Sequence, residues 1–238
     1  MLKLFYNHRP IGLRSKFAIQ VMIMNFKLLS SLLALFTFVS CASETKYHSM
    51  SASLINTNDK TDTATFGTGC FWCTEAIFDE LNGVLKVTSG YSGGTVPNPT
   101  YEEVCKGNTG HAECVQVVYE PEKITYDELL EVFWQVHDPT SLNRQGADVG
   151  TQYRSAVFYH NKEQKEKAEH YKEELNKSGA FNKPIVTEIT AFNKFYPAED
   201  YHQEYYLNNK NNNPYCAVVI RPKLEKFQKV FASKLKRK

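Results

Sequence analysis

The chain is predicted to fold as an α/β sandwich, a mixed sheet with helices packed on it. Three observations lead there. Short runs rich in β-branched and aromatic residues alternate with segments of helical periodicity. The stretch 112–191 alone reads strand–helix–strand–helix–strand. The 238 residues are 42% hydrophobic and 13% aromatic, enough for one sizeable core, and the 23% charged residues argue against disorder. One folded domain suffices, and no internal repeat is visible.

The elements follow in order. Thr63–Gly67 is an apolar run that reads as the first strand, and Phe71–Leu81 places Ile77, Phe78 and Leu81 at helical spacing. Val84–Tyr91 is a second strand running into Ser92-Gly93-Gly94, and the two prolines and asparagine of Thr95–Thr100 demand a loop. Tyr101–Lys106 supplies one or two helical turns. Ala112–Tyr119 alternates as a strand, and Tyr126–His137 shows a broad apolar helical face at Leu129, Leu130, Phe133, Trp134 and Val136. A long polar loop, Asp138–Gln152, leads to a strand at Tyr153–Tyr159. The charged helix Lys162–Lys177 closes at Ser178-Gly179, and Ile185–Ala191 is another strand. A short aromatic-rich helix (Ala198–Asn208), a short strand or extended segment (Cys216–Ile220) and a final helix (Lys223–Lys234) complete the chain.

Residues 1–62 read as appendages to the domain, which begins at 63. Leu28–Val39 is a twelve-residue apolar run preceded by Lys27, too short to span a bilayer and suited to a secretory signal. Phe38-Val39-Ser40-Cys41-Ala42 resembles a bacterial lipoprotein cleavage site, with Phe38 where leucine is usual, and makes Cys41 the candidate lipidation residue. An ordinary signal peptide or an uncleaved anchor is the alternative. Met24-Asn25-Phe26-Lys27 has the form of a signal's charged start, so residues 1–23 are expected to be an over-extended start and 1–41 a targeting segment. Residues 42–62, rich in Ser, Thr, Asn, Asp and Lys, read as a flexible tether. The expected location is the bacterial cell envelope, with a lipid anchor to the membrane facing the periplasm or the exterior.

A net charge of +2 is too small to imply a nucleic-acid partner, and the basic run Lys234–Lys238 reads as a solvated helix end. The six cysteines, 41, 70, 73, 105, 114 and 216, are too few for a disulfide-built scaffold. Zinc would usually need a second close Cys/His pair, and none has suitable spacing, so no metal site is expected. Redox or nucleophilic use of Cys70-x-x-Cys73 is favoured.

Gly69-Cys70-Phe71-Trp72-Cys73 lies where a strand turns into a helix. The unpaired N–H groups and positive dipole end of a helix start favour thiolate at Cys70, beside two large aromatics. Glu113 shares a strand face with Val115, Val117 and Tyr119; desolvation there would keep it protonated as a donor, whereas at a sheet edge it would simply reach water. Asp148 and Tyr153 lie in or beside the long loop 143–153 and could orient a polar group, or Asp148 could cap a turn. Tyr91 and Tyr101 flank the Gly-Gly and Pro-rich loop and on their own read as packing aromatics. Cys216, after Asn211-Asn212-Asn213-Pro214-Tyr215, could swing to another thiol or be one more buried small residue. Cys105 and Cys114 read as structural.

Gly69-Cys70-Phe71-Trp72 resembles the signature of the A-type peptide methionine sulfoxide reductases. The resemblance continues through Gly90-Tyr91-Ser92-Gly93-Gly94, Pro97-Asn98-Pro99-Thr100-Tyr101 and Gly110-His111-Ala112-Glu113. It extends to Phe133-Trp134, His137-Asp138-Pro139, Arg144-Gln145-Gly146 with Asp148, Gly150 to Ser155, and Ala198 to Gln203, covering roughly residues 63–232. It implies an α+β sandwich, ferredoxin-like at its centre, that reduces methionine S-sulfoxide, peptide-bound or free, to methionine. By the same resemblance Cys70 matches the nucleophile, Glu113 the acid, and Tyr101, Asp148 and Tyr153 the hydrogen-bonding residues. Phe71 and Trp72 match the pocket for the substrate methyl, and Cys216 a recycling cysteine. Cys73 stands where most members carry glycine, so two candidate resolving thiols exist, Cys73 and Cys216. No bound cofactor is implied; electrons come from an external thioredoxin-like dithiol, and the partners are oxidised proteins or peptides. Two other classes compete: a thioredoxin-like dithiol oxidoreductase, and a lipid-anchored module that binds oxidised or apolar side chains without turnover.

Overall fold

The computed structural model describes residues 61–237. Fourteen named elements appear in chain order: β1 (Asp62–Thr68), α1 (Phe71–Phe78), β2 (Val84–Ser92), α2 (Tyr101–Cys105), β3 (Ala112–Tyr119), α3 (Tyr126–Val136), β4 (Arg144–Gln145), β5 (Asp148–Val149), β6 (Ser155–Tyr159), α4 (Lys162–Ser178), β7 (Glu188–Ala191), β8 (Phe195–Pro197), α5 (Tyr205–Asn209) and α6 (Arg221–Val230).

Six strands form one mixed sheet in the order β7-β6-β1-β3-β2-β8, while β4 and β5 make a separate two-stranded ribbon. All pairings in the large sheet are antiparallel except β6 with β7. Its four central strands, β6-β1-β3-β2, with α1 between β1 and β2 and α3 between β3 and β6, have the ferredoxin-like arrangement.

Alternation along β3 divides the molecule into two layers. Val115, Val117 and Tyr119 face a core shared with Ile77 and Phe78 of α1, Leu129 and Phe133 of α3, Ala168 of α4, and Leu224 and Phe227 of α6. Phe66 at the middle of β1 ties two helices to the sheet, its ring 5.4 Å from Phe78 and 5.2 Å from Phe133. The opposite face carries Ala112, Cys114, Ala156 and Phe158, covered by Phe192 and Phe195 rather than by a helix. The architecture is therefore an α+β two-layer sandwich.

Local chemistry starts the helices where it should. Thr100 and Thr125 form capping boxes with Glu103 and Glu128, and Asn161 caps α4 by accepting from the Gln164 N–H. Gly179, at φ 66°, ends α4 in the left-handed conformation.

The structure differs from the sequence reading at several places. The loop 138–152 contains the β4–β5 ribbon, and Tyr153 ends a 3₁₀ turn (Thr151–Tyr153) instead of opening β6. The expected helix 198–208 is split into a 3₁₀ turn (Asp200–His202) and α5. Its cause is Gln203, whose side-chain amide accepts from the Ser89 N–H and donates to the Ser89 carbonyl, each at 3.0 Å. That pairing against β2 pulls the chain out of the helix, and Glu204 follows at φ 49°. β8, a three-residue edge strand ending in Pro197, carries no sequence signal of its own. Cys216–Ile220 is a π-helical turn running straight into α6, not an extended segment; the wide turn sets Cys216 and Ile220 on one buried side. Lys234 is not simply solvated, because its ammonium lies 2.7 Å from Glu128. Asp62, placed in the tether by sequence, is the first residue of β1. The targeting segment 1–41, Cys41 and nearly all of the tether lie outside the described residues.

Candidate active site

The β1–α1 junction presents Cys70 because of the glycine before it. Gly69 has φ +95°, and a Cβ there would lie 2.6 Å from Gln145 Cβ, so no other residue fits without displacement. Cys70 then takes the N-cap position of α1, its carbonyl accepting from the Cys73 N–H at 3.1 Å, the Thr74 N–H at 3.3 Å and the Thr74 hydroxyl at 3.1 Å.

The sulfur opens on a cavity of about 160 Å³ lined by Cys70, Phe71, Trp72, Tyr101, Glu113, Asp148, Tyr153 and Tyr215. Seven of these are sequence candidates brought together from α1, α2, β3, β5 and the 3₁₀ turn before β6. Trp72 is fixed on two sides: its ring stacks on Tyr205 at 3.7 Å and 8°, and its Nε1–H donates to His202 Nδ1 at 3.0 Å. Phe71 is almost wholly buried and lies 6.4 Å from the Tyr101 ring. The two aromatics leave a wall suited to a methyl group.

Glu113 lies on the central strand β3, 1% exposed, so the sheet-edge alternative does not apply. Burial, then the neighbouring Cys70 and Asp148, holds its carboxyl well above the ordinary carboxylate range. Its Oε2 accepts the Phe71 N–H at 3.1 Å, which leaves Oε1 to carry the proton. Tyr101 and Tyr153 are also driven upward, chiefly by burial, and keep their phenolic protons. Glu199 holds the tyrosine side of the site, accepting the Tyr101 N–H at 2.8 Å and the Tyr91 hydroxyl at 2.9 Å. Glu113, Tyr101 and Tyr153 thus offer neutral donors to whatever oxygen enters the site.

The two thiols of the motif are pushed in opposite directions. Cys70 is pushed up, first by donating its S–H to Cys73 and then by burial, whereas Cys73 is drawn down by accepting that bond and by the Lys223 ammonium. Lys223 Nζ lies 3.9 Å from Cys73 Sγ. Cys216 is fully buried in a small apolar cluster with Cys70, Cys73 and Ile220, and does not line the cavity.

Three contributors were given no role by the sequence reading, although His202 lies within the matching stretch Ala198–Gln203. Tyr215, directly before Cys216, lines the cavity, with its hydroxyl 3.1 Å from Asp148 Oδ2 and within bonding reach of both Cys70 and Cys73. Its single proton serves the carboxylate or one sulfur at a time. His202 and Lys223 act behind the lining, and the role of each is hidden locally because their partners lie 130 and 150 residues away. Cys105, read as structural, is exposed at the end of α2, and its thiol accepts from the Tyr101 hydroxyl. Cys114 is buried on the other face of the sheet, donating to the Gly90 carbonyl at 3.6 Å. Among the described residues, no cluster of three or more His, Cys, Asp or Glu is placed to hold a metal ion.

Comparison with known proteins accounts for nearly all of the described chain. A family model described as peptide methionine sulfoxide reductase matches residues 62–235. A peptide methionine sulfoxide reductase of Saccharolobus solfataricus is 54% identical over 175 residues, 74% of this chain and 97% of that relative. One from Deinococcus radiodurans is 55% identical over 173 residues, 73% of this chain and 84% of the relative. Among solved structures, methionine sulfoxide reductase A of Corynebacterium diphtheriae aligns with a TM-score of 0.59 at 40% identity, covering 66% of this chain and 79% of that one. These matches set aside the dithiol-exchange and binding-module alternatives. The chain belongs to the peptide methionine sulfoxide reductases of the A type, and is an oxidoreductase that returns methionine S-sulfoxide to methionine.

Proposed function

We propose that Cys70 is the nucleophile and Glu113 the proton donor of this reduction. The observation that carries the assignment is the 3.1 Å bond from the Phe71 N–H to Glu113 Oε2, which fixes a buried, protonated carboxyl in the cavity that holds the Cys70 sulfur. A sulfoxide resists attack at sulfur because its oxygen must leave with negative charge. Glu113 gives that oxygen a proton, while the Tyr101 and Tyr153 hydroxyls position it, Tyr101 turning its hydroxyl from Cys105 to do so; Asp148 orients Tyr215, whose hydroxyl it accepts at 3.1 Å. Phe71 and Trp72 hold the methyl through apolar contact worth on the order of 1 kcal/mol. Methionine departs, and Cys70 is left as a sulfenic acid.

Recycling begins at Cys73, which packs with Cys70 in one small buried cluster. The condensation forms a disulfide and releases water. Cys216, packed in the same apolar cluster, receives the disulfide next, and an external thioredoxin-like dithiol reduces it. Cys70→Ser should abolish single-turnover production of methionine, and retained product would end this assignment. Trapping the oxidised protein and mapping its disulfides tests the order: a Cys70 bond to Cys105 or Cys114 contradicts it.

Residues 1–41 we read as a targeting segment with Cys41 lipidated and 42–62 as the tether, which puts the enzyme at the bacterial envelope, acting on oxidised proteins there. Mass spectrometry of the native protein tests this: a peptide from before Met24 together with an unmodified Cys41 would refute it.

A further inference from the structure

Two protons must travel in opposite directions in the proposed reaction, and Glu113 can manage only one. It must keep its proton until the sulfoxide oxygen takes it, so it is unavailable as a base for the Cys70 thiol. Cys70 is nevertheless buried and packed with Cys73 in one small cluster, and burial beside that second sulfur pushes its thiol up. A thiol is a poor nucleophile until its proton goes. The groups facing Cys73 come from four places: Cys70 at the start of α1, Asp148 of β5, Tyr215 ahead of the π turn, and Lys223 of α6. Lys223 is the one positive charge among them. Its ammonium is 3.9 Å from Cys73 Sγ, half-buried, and among the described residues no carboxylate is ion-paired with it.

We propose that Lys223 is a positioning residue that keeps the negative charge of the Cys70–Cys73 pair on Cys73, making Cys73 the base that receives the Cys70 proton as Cys70 attacks. The proposal rests on the assignment of Cys70 and Glu113 above. In the first step the Cys70 S–H breaks and its proton passes to the Cys73 thiolate. A Cys70 lone pair bonds to the sulfoxide sulfur as Glu113 protonates its oxygen; the hydroxyl then passes to Cys70, so that the sulfoxide S–O bond and the transient S–S bond break, the Cys70–O bond forms, and methionine leaves with the electron pair of the S–S bond. In the second step the Cys73 sulfur, carrying the proton it received, displaces hydroxyl from Cys70. The S–S bond forms, the Cys70 S–O bond breaks, and proton and hydroxyl leave as water. Cys73 thus has two roles in sequence, and Lys223 is unchanged throughout. The direction in which burial, hydrogen bonding and the ammonium move the two thiols agrees with this division.

The test uses the reduced full-length protein, with Lys223→Met and Lys223→Arg beside wild type. Thiolate absorbance is titrated against pH, the Cys73 contribution being the part lost in Cys73→Ser. Single-turnover methionine formation from a peptide methionine S-sulfoxide is followed over the same range. Lys223→Met should move the Cys73 titration and the rising limb of the rate upward by about one to three pH units, the effect of an opposite charge at this range. The rate at neutral pH should fall about tenfold or more and converge on wild type at high pH; Lys223→Arg should restore both curves. A Lys223→Met protein with the wild-type titration and rising limb would overturn the proposal. Should that variant not fold, Lys223→Gln, which keeps most of the stem's packing, replaces it with the same expectations. The titration needs no turnover, so a wild type that makes no methionine would refute the catalytic assignment while the role of Lys223 is still decided.

Discussion

Glu113→Gln separates hydrogen bonding from proton transfer within the same geometry. The Phe71 N–H, 3.1 Å from Oε2, selects an oxygen at that position and so aims the amide nitrogen of the variant into the cavity. The variant therefore still donates a hydrogen bond to the sulfoxide oxygen, but has no proton to give away. Removing general-acid transfer costs about 10²- to 10⁴-fold, or roughly 3–5 kcal/mol of barrier. Substrate affinity should change little. The assay is single-turnover methionine formation by prereduced protein, free of any recycling step. The pH profile adds a second reading: wild type needs the protonated carboxyl, so its rate falls as pH rises through the raised Glu113 pKa, and the Gln variant lacks that falling limb. Stability moves the opposite way. The folded protein holds the Glu113 proton that an unfolded chain releases near 4.5, so wild type loses stability as pH climbs above that value and the variant does not. A variant slower in chemistry yet at least as resistant to urea at neutral pH is the expected pair of results. A near-wild-type rate at neutral pH would remove Glu113 from its role.

Glu75, one turn into α1 and 4% exposed, is pushed from 4.5 to about 7 by burial, so its proton too is released by unfolding. Stability derived from it is full below pH 4.5 and lost as pH rises toward 7; Glu75→Gln should therefore gain on wild type by up to about 3 kcal/mol across that window, read as urea midpoints. A pH-independent gap would show that burial does not hold the proton. Gly69→Ala forces a Cβ to 2.6 Å from Gln145 Cβ at φ +95° and should cost about 2 kcal/mol or more, together with most of the single-turnover rate as Cys70 is displaced. Unchanged stability would mean that the β1–α1 junction is looser than the structure has it.

Much of the layer structure was legible because it depends on neighbours in sequence. The capping box Thr125/Glu128 and the apolar face ending at Trp134 define α3 from inside eleven residues. Alternation in Ala112–Tyr119 puts Glu113 on the face of Val115 and Val117, which is enough to make it a candidate. Whether that face belongs to a central or an edge strand is a question of strand order, and strand order is set by pairings such as Phe66 with Val115, across 49 positions. The same limit hid β8, which exists because β2 offers an edge, and the break at Gln203, which exists because Ser89 offers a backbone N–H and carbonyl. The cation beside the thiol pair was hidden for a related reason. The helix dipole is visible locally, but Lys223 reaches Cys73 only after the C-terminal helix has folded back over α1.

Low dielectric sets the terms of this site. Burial that keeps Glu113 neutral also penalises any thiolate a few ångströms away, so a fully buried acid and an ionised nucleophile are hard to maintain together. Members with glycine in place of Cys73 must meet that conflict some other way. In the proposed arrangement the sulfur that bears charge is three positions along from the sulfur that attacks, beside the ammonium of Lys223 and packed with the attacking thiol in one cluster. The acid can remain dry while the nucleophile is released by transfer of one proton across one hydrogen bond. Moving the charge to Cys73 therefore serves the reduction itself, before any disulfide forms. That makes the second cysteine of the motif more than a shortcut for recycling.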